Sequence, residues 1–431
     1  MPMTRRGLLG AGLTAATALM TGCESSSSPS QTARGTAGDA ATTPVAASTA
    51  VAPYVAPLKA VLTKYLKPTE ANPKHPTYAG AAAVVMVDGK VTATLAVGHA
   101  LRYAAGPVQL PASKRVAMRT DSIFDLASLT KVYTSILLLQ QVDKGRVDLD
   151  VPVVRYLPGF TGTGKNKITV RMLLTHTSGL PVGASIKGLP SQAAKRAAVL
   201  ATPLVKGATP GTVFRYSSVG LMVAAQLVEK VTATTLDAAL KTGITTPLGL
   251  RGTGFTPLTW LSKTQQAARL AATDARTSRG LLRGVVHDDV ANQMGGIIGS
   301  AGVFGTAYDV AVIGQLLLNA GTYGGKRLLS TAIVKEMLTN QNKGLPAVDP
   351  ERPGRPSYHG LGVTLRQPWF MGTLSSATTF GHTGFTGTSL LVDPSRKLVL
   401  SLLTNRAHPN WTWANPDPMR AEAATTIAKH L

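Results

Sequence analysis

Disulfide bonds cannot stabilise this chain of 431 residues, because Cys23 is its single cysteine. Stability must come from packing. With 44% hydrophobic and 15% charged residues, the chain is long and apolar enough to bury a large core, which argues against global disorder. The sequence also lacks an internal repeat and any motif with metal-ligand spacing, since its eight histidines are scattered. It therefore predicts a globular protein without a metal site.

Acidic residues are scarce: 21 Asp and Glu stand against 44 Lys and Arg, for a formal net charge of +23. The excess is not a basic tail, since residues 57–431 hold 41 basic and 19 acidic side chains. Such a protein attracts polyanions such as anionic lipid headgroups, cell-wall phosphate polymers or nucleic acid. No compact Arg/Lys run or nucleic-acid-binding motif is present, so nucleic acid is not an expected partner. Two explanations of the charge remain: the protein surface is basic without a specific partner, or it binds an anionic surface outside the cell.

The first residues lack an apolar run of the ~20 residues that a membrane-spanning helix needs, because only 16 residues separate Arg6 from Cys23. Arg5 and Arg6 before a short apolar stretch resemble a twin-arginine export signal. Residues 19–23 (LMTGC) resemble a bacterial lipobox, in which the cysteine becomes acylated after cleavage. Residues 1–23 thus predict an export signal, with Cys23 as the lipid attachment site on the outer side of the bacterial cytoplasmic membrane.

Two segments follow the predicted signal. Residues 24–56 consist largely of Ser, Thr, Ala, Pro and Gly with almost no charge, which predicts a flexible linker. Residues 57–431 have the pattern of a folded domain. The linker would let that domain stand off the membrane.

Strand signals lie at both ends of the folded part, and helix signals lie between them. Residues 82–87 and 91–97 flank Asp88-Gly89, and residues 388–392 and 398–403 flank residues 393–396, so each pair predicts a β-hairpin. Residues 128–144, 219–230 and 310–318 predict helices, and so do the last 15 residues.

Ser128 and Lys131 form the only Ser-x-x-Lys motif in the chain, just ahead of an apolar helical pattern. At the start of a helix, side chains at i and i+3 share one face, near free backbone N–H groups and a positive dipole end. A neutral Lys131 amine there could accept the Ser128 proton. Alone, the motif is equally compatible with a helix-capping serine and a surface lysine.

Two further segments carry polar groups suited to acyl transfer. Tyr216, in residues 214–218 (FRYSS), precedes a predicted helix, and a phenol near a lysine ammonium loses its proton more easily. His382-Thr383-Gly384 lies in a glycine-rich stretch before the second hairpin, where a substrate could approach the backbone closely. Each segment alone is equally well explained as packing or turn material.

The order of these segments resembles the serine β-lactamase and D-alanyl-D-alanine carboxypeptidase superfamily, most closely its class C-like and esterase branch, over residues 57–431. Residues 124–131 (FDLASLTK) look like that family's nucleophile segment, and residues 168–180 (ITVRMLLTHTSGL) look like its structural loop. Residues 214–218 and 380–384 (FGHTG) take the places of its second and third motifs. Residues 301–307 (AGVFGTA) and 403–406 (LTNR) are also similar.

The resemblance implies an α/β (α+β) fold. An antiparallel sheet built from both chain ends and flanked by helices packs against a mostly helical inserted subdomain, with the site in the groove between them. It also implies that Ser128 is the nucleophile and that Lys131 and Tyr216 transfer protons. The backbone N–H groups of Ser128 and Phe385 would stabilise the oxyanion. No metal or organic cofactor is implied.

Three details bear on specificity. Lys241-Thr242-Gly243 spells the family's commonest third motif, but it lies at the end of a helical run soon after Tyr216, so we favour His382-Thr383-Gly384 (with Thr383 and Gly384 as substrate-binding residues). Ser218 stands where the family often has asparagine. His382 stands where its β-lactamases usually have lysine, which should weaken the grip on a substrate carboxylate.

The sequence therefore predicts a serine hydrolase acting through a Ser128 acyl-enzyme on small esters or D-alanyl peptide amides from peptidoglycan. A class C-like β-lactamase is the first alternative. A non-hydrolytic penicillin-binding or cell-wall-binding lipoprotein is the second, and the presence of Ser128, Lys131 and Tyr216 argues against it.

Overall fold

The computed structural model describes residues 51–348 and 354–431. The predicted signal, the lipobox cysteine Cys23 and nearly all of the predicted linker lie outside the described residues. The described residues group into one compact unit. Helix α1 begins at Val55 and the Tyr54 side chain is buried, so packed structure starts slightly before the predicted boundary at residue 57.

The described strands, in chain order, are β1 (Gly80–Val87), β2 (Lys90–Leu101), β3 (Tyr103–Ala104), β4 (Val108–Gln109), β5 (Val116–Ala117), β6 (Phe124–Asp125), β7 (Gly254–Phe255), β8 (Ala272–Asp274), β9 (Leu282–Arg283), β10 (Val303–Gly305), β11 (Thr322–Tyr323), β12 (Lys326–Arg327), β13 (Thr364–Leu365), β14 (Phe380–Thr383), β15 (Ser389–Asp393) and β16 (Leu398–Thr404).

The described α-helices are α1 (Val55–Lys64), α2 (Thr130–Asp143), α3 (Val170–Leu174), α4 (Gln192–Ala201), α5 (Ser218–Thr232), α6 (Leu236–Leu240), α7 (Thr246–Leu248), α8 (Lys263–Arg269), α9 (Asp289–Gln293), α10 (Ala307–Leu318), α11 (Thr331–Met337), α12 (Pro368–Met371) and α13 (Asp417–Lys429).

A seven-stranded antiparallel sheet in the order β13-β14-β15-β16-β1-β2-β5 forms the centre of the fold. Its strands come from both ends of the folded chain, and most helices lie between them in sequence, so the predicted fold class is confirmed. Both predicted hairpins are present. In the first, Asp88 and Gly89 both have positive φ (49° and 74°), as a two-residue type I′ turn requires.

The two faces of the sheet bury two separate apolar clusters, because successive side chains on a strand point to opposite sides. On β1, Ala82, Val84 and Met86 pack into the larger cluster with α2, α5 and α10. Ala81 and Val85 face the other way and pack with α1 and α13. The sheet is thus covered by helices on both sides.

Helix α5 lies deep in the larger cluster, with ten buried residues. Within the described residues, no single helix is long and apolar enough to cross a bilayer. Helices 218–232 and 236–248 reach the required length and hydropathy only as a pair that bends by 80°.

Candidate active site

Ser128 sits in a short 3₁₀ turn, Ala127–Leu129, that joins β6 to α2. The turn is backbone-strained, because Ala127 has a φ of 46°, a region that non-glycine residues seldom adopt. Asp125 holds it in place: its buried carboxylate accepts the Ala127 N–H at 2.9 Å and the His287 N–H at 2.7 Å. Burial raises the pKa of this carboxyl. The turn that presents the nucleophile is thus strained and is held by a buried carboxylate.

Lys131 lies one turn further, at the start of α2, and only 1% of its surface is exposed. Its Nζ donates hydrogen bonds to Ser128 Oγ and to the Ser300 carbonyl, both at 2.9 Å. No carboxylate among residues 51–348 and 354–431 pairs with this amine. The predicted contact between serine and lysine is therefore present, and the segment before β10 aims the amine at the serine.

Tyr216 reaches the same place from the start of α5, where Ser217 caps the helix by accepting the Gly220 N–H. The Tyr216 ring packs against His176 at 4.6 Å between ring centroids, and Lys131 Nζ lies 5.1 Å from the Tyr216 ring centre. Neither Ser128 nor Lys131 is hydrogen-bonded to its hydroxyl in the described structure. The three predicted catalytic side chains thus share one site, in which Lys131 is hydrogen-bonded to Ser128 and the Tyr216 ring lies beside the Lys131 amine.

The loop around His176 explains how Tyr216 is held. The His176 backbone carbonyl accepts the Arg215 N–H at 2.8 Å, and its Nδ1 accepts the Ser217 N–H at 3.1 Å. His176 itself has a φ of 58° and is fully buried. The predicted structural loop, residues 168–180, therefore grips the residues on both sides of Tyr216.

A groove opens in front of these groups. Its larger part, called the wide cavity here, has a volume of about 440 Å³. Seven predicted site residues line it: Ser128, Tyr216, Ser218, His382, Thr383, Gly384 and Phe385. Lys241 is not among the lining residues, and the Gly243 carbonyl beside it is bonded to Gln140 on α2. The preference for His382-Thr383-Gly384 over Lys241-Thr242-Gly243 as the third motif therefore agrees with the geometry.

The backbone of residues 384–388 lies directly against the nucleophile turn. Thr386 and Thr388 donate their hydroxyls to the carbonyls of Asp125 and Leu126, at 2.7 and 3.0 Å. Position 384 requires glycine, since a Cβ there would lie 2.4 Å from the Leu126 carbonyl oxygen. Neither the Ser128 nor the Phe385 amide donates to another described residue. Both N–H groups thus stay available for the predicted oxyanion role.

His382 lines the wide cavity, but its ring is largely buried. Its Nδ1 lies 2.8 Å from the Thr383 carbonyl, while its Nε2 is buried without a hydrogen-bond partner among the described residues. Burial lowers its pKa well below the usual range. The ring is therefore neutral at pH 7 and does not present a cation to a substrate carboxylate.

Three histidines that are far apart in sequence meet behind Tyr216. His176, His359 and His382 are all buried, and one ring nitrogen of each lies within 4.8 Å of the others. The sequence does not indicate this cluster, because its three histidines share no local motif. Burial lowers the pKa of all three, that of His359 to about 3.

Backbone contacts assign the tautomers of this cluster. His359 and His382 place Nδ1 against the Gly360 and Thr383 carbonyls, so Nδ1 carries the proton and Nε2 a lone pair. His176 accepts at Nδ1, so its Nε2 carries the proton. Metal-bound histidines usually donate their second ring N–H. His176 does not, so the cluster offers one donor and two acceptors rather than three metal ligands.

Four arginines also line the wide cavity, and the sequence analysis did not single them out. They are Arg215, Arg355, Arg406 and Arg420. Arg420 is buried and donates to the carbonyls of Gly384 and Thr388, both at 2.8 Å, which fixes the backbone beside Phe385. Arg406 lies over the Phe385 ring at 4.5 Å. Guanidinium groups from other elements thus line the wide cavity beside the neutral His382 ring.

This fold, with a serine and a lysine in contact at a helix start before a cleft, defines a serine hydrolase of the β-lactamase fold. The chain belongs to the Beta-lactamase family, whose model matches residues 62–425. It is 32% identical over 363 residues to a protein of Escherichia coli K12 named "Putative D-alanyl-D-alanine carboxypeptidase", covering 75% of this chain and 78% of that one. An N-acetylmuramyl-L-alanine amidase of Bacillus subtilis is also 32% identical, over 359 residues, covering 77% and 78%.

Solved structures agree on the fold. A penicillin-binding protein homologue from Caulobacter crescentus superposes with a TM-score of 0.64 at 22% identity, covering 89% of this chain and 99% of that one. A family VIII carboxylesterase gives a TM-score of 0.65 at 19% identity, covering 90% and 100%.

Proposed function

We propose that this protein is an exported, lipid-anchored hydrolase that cleaves D-alanyl peptide amides or small esters through an acyl-enzyme on Ser128. The observation that carries the proposal is the 2.9 Å contact between Lys131 Nζ and Ser128 Oγ at the floor of the wide cavity. A nucleophile held by its own base is the arrangement that covalent acyl transfer needs.

In the proposed reaction, Ser128 Oγ attacks the substrate carbonyl as its proton passes to the Lys131 amine, directly or through the Tyr216 hydroxyl, which gives its own proton to that amine. The amides of Ser128 and Phe385 stabilise the oxyanion, and each such donor is worth ~10²–10³ in rate. The proton then passes to the leaving amine or alcohol. Water repeats the sequence on the acyl-enzyme and frees Ser128.

Two features of the wide cavity bear on the substrate. The lining arginines favour a group with negative charge, such as a peptide carboxylate. Val182, Val205 and Val348 add an apolar wall that suits the acyl chain of an ester. The names of the relatives, a carboxypeptidase, an amidase and a carboxylesterase, span the same range.

Efficient β-lactamase activity is less well supported, because His382 is neutral and its Nε2 is buried. A cell-wall-binding protein that forms no covalent bond is also disfavoured, because it would not require Lys131 to be bonded to Ser128.

Export and lipid anchoring rest on the sequence signals at Arg5, Arg6 and Cys23, which precede the matched region starting at residue 62. Placement outside the cytoplasmic membrane would bring the basic surface and the hydrolase site to the cell wall. Peptidoglycan-derived peptides are then the natural partners.

Intact-protein mass spectrometry after exposure to benzylpenicillin, p-nitrophenyl butyrate and an acyl-D-Ala-D-Ala peptide tests the proposal. We expect a mass adduct on the peptide that bears Ser128, rapidly lost with the ester or the peptide. A stable adduct with all three compounds would indicate a sensor. No adduct on Ser128 with any of them would contradict the acyl-enzyme.

A further inference from the structure

A second cavity adjoins the nucleophile. This narrow cavity has a volume of about 280 Å³ and includes Arg276, Arg279, Asp289 and Trp411 in its lining. Three residues line both cavities: Ser128, Asp288 and Phe385. The substrate groove therefore runs past the nucleophile in both directions, and Asp288 is the acidic residue at the crossing.

The carboxylate of Asp288 is only partly used by the fold. Its Oδ1 caps α9 by accepting the Ala291 N–H at 2.8 Å. The side chain is half-buried, and no lysine or arginine among the described residues forms an ion pair with it. The Asp288 carboxylate is held by one oxygen and lines the cavity that also includes Ser128, so it is suited to bind a cation.

The two arginines that line the narrow cavity are paired with other carboxylates, so neither one neutralises Asp288. Arg276 binds Asp274 at 2.6 Å, and Arg279 binds Asp289 at 3.0 Å. Each arginine thus has its own carboxylate, and Asp288 is the third acid beside two bases. Asp288 therefore remains without a cationic partner among the described residues.

Asp288 lines both cavities, and the two arginines of the narrow cavity are already paired with other carboxylates. A substrate that lies across the nucleophile would therefore gain by placing an ammonium group against Asp288.

We propose that Asp288 is the anchor of an ammonium subsite, and that the preferred substrates carry a free primary amine close to the scissile carbonyl, as aminoacyl amides and peptides with a free amino group do. This inference rests on the proposed function, because it names the substrate class of the same hydrolase site. Asp288 is a specificity-determining residue here and takes no part in proton transfer.

The matched probes are D-alanine 4-nitroanilide, with a free ammonium, and N-acetyl-D-alanine 4-nitroanilide, without one. At pH 7, where most α-amino groups are protonated, we expect the full-length protein to favour the free amine in kcat/KM by about tenfold or more, as a charge-assisted hydrogen bond implies. Asp288→Asn should bring the ratio close to one. Asparagine caps helices as well as aspartate does, so the fold should be retained.

Two further variants guard the interpretation. Asp288→Ser also keeps a capping group and removes the charge, so it too should lose the preference. It provides the test if the Asp288→Asn variant fails to fold. Asp237→Asn removes the same charge at an exposed aspartate that lines neither cavity, and it should keep the preference. A preference that survives both Asp288 variants, or that is absent from the wild type, would overturn the inference.

Binding separates this inference from the proposed reaction. In a Ser128→Ala background, equilibrium binding of D-alaninamide and of N-acetyl-D-alaninamide should show the same preference and the same dependence on Asp288. If Ser128 is never acylated but this binding preference holds, the hydrolase proposal fails and the subsite stands. If turnover occurs without the preference, the hydrolase stands and the subsite falls.

Discussion

The side-chain nitrogen of Lys131 lies 2.9 Å from the side-chain oxygen of Ser128, one helical turn earlier in the chain. Because Lys131 is almost fully buried and bonded also to the Ser300 carbonyl, it has no freedom to swing away from the serine. The contact is therefore a fixed part of the site rather than one of many arrangements of a surface lysine.

Replacing the nucleophile tests this relationship directly. Ser128→Ala should lower kcat/KM for p-nitrophenyl butyrate by at least ~10⁴-fold, because no other group can form the acyl-enzyme. Stopped-flow absorbance at 400 nm measures the loss. The control is Ser185→Ala, which changes an exposed serine and should leave the rate unaltered. Equal turnover by Ser128→Ala and wild type would refute the assignment.

Tyr216 is tested by removing its hydroxyl alone. Tyr216→Phe keeps the ring that packs on His176, so thermal stability should change little. If the phenol transfers protons once substrate is bound, kcat should fall ~10²–10⁴-fold. Pre-steady-state acylation and the melting temperature would be measured together. Full activity in this variant would mean that Lys131 acts without the phenol.

The replacement of His382 by lysine tests the role of charge at the third motif. His382 is neutral at pH 7, whereas a lysine adds a cation beside the scissile bond. We expect turnover of a chromogenic cephalosporin to rise relative to p-nitrophenyl butyrate, on the order of tenfold. The ratio of the two kcat/KM values cancels any loss of folded protein. His382→Gln is the neutral control, and an unchanged ratio in the lysine variant would remove the argument.

The fold was predictable because its signals are local. The alternation of β1 and β2 around Asp88-Gly89, and the apolar run from Thr130 to Asp143, each fix an element without reference to distant residues. Ser128 and Lys131 also lie within one helical turn, so their contact follows from spacing alone. Tyr216 was assigned to the site from the resemblance to the family, because no local spacing relates it to Ser128.

What could not be predicted depends on long-range packing. His176, His359 and His382 meet only because β14 and two loops converge, and their tautomers depend on which backbone groups happen to face them. Asp125 and Asp288 were invisible as site residues for the same reason. A single sequence records which side chains exist, whereas the partners that bury or charge them are set by the tertiary structure.

The proposed lipid anchor is tested at Cys23. Cys23→Ala removes the thiol that would carry the acyl chains, so the protein should move from the membrane fraction to the soluble one. Each buried methylene contributes ~0.8 kcal/mol to anchoring, so the shift should be nearly complete. Fractionation of expressing cells with immunodetection measures it. Retention in the membrane would indicate a different anchor, and Ser25→Ala serves as a neighbouring control.

Acid stability should depend on the buried histidines. Burial lowers the pKa of His176, His359 and His382 below the ~6.5 of an unfolded chain, so the unfolded state binds protons first as the pH falls. Unfolding then becomes easier below about pH 6.5. For His359 the effect continues to its folded pKa of about 3. Each such histidine costs up to ~1.4 kcal/mol per pH unit in this window.

His359→Asn isolates one of these contributions, because asparagine does not titrate and its amide N–H can still face the Gly360 carbonyl. Between pH 6 and pH 5, the variant should lose about 1 kcal/mol less of its free energy of unfolding than the wild type does. Urea titrations at the two pH values provide the comparison. His430→Asn, at an exposed histidine in the final turn, is the matched control and should follow the wild type. If His359→Asn and the wild type lose stability in parallel, the buried rings are already protonated in the folded protein, and the neutral cluster behind Tyr216 is wrong.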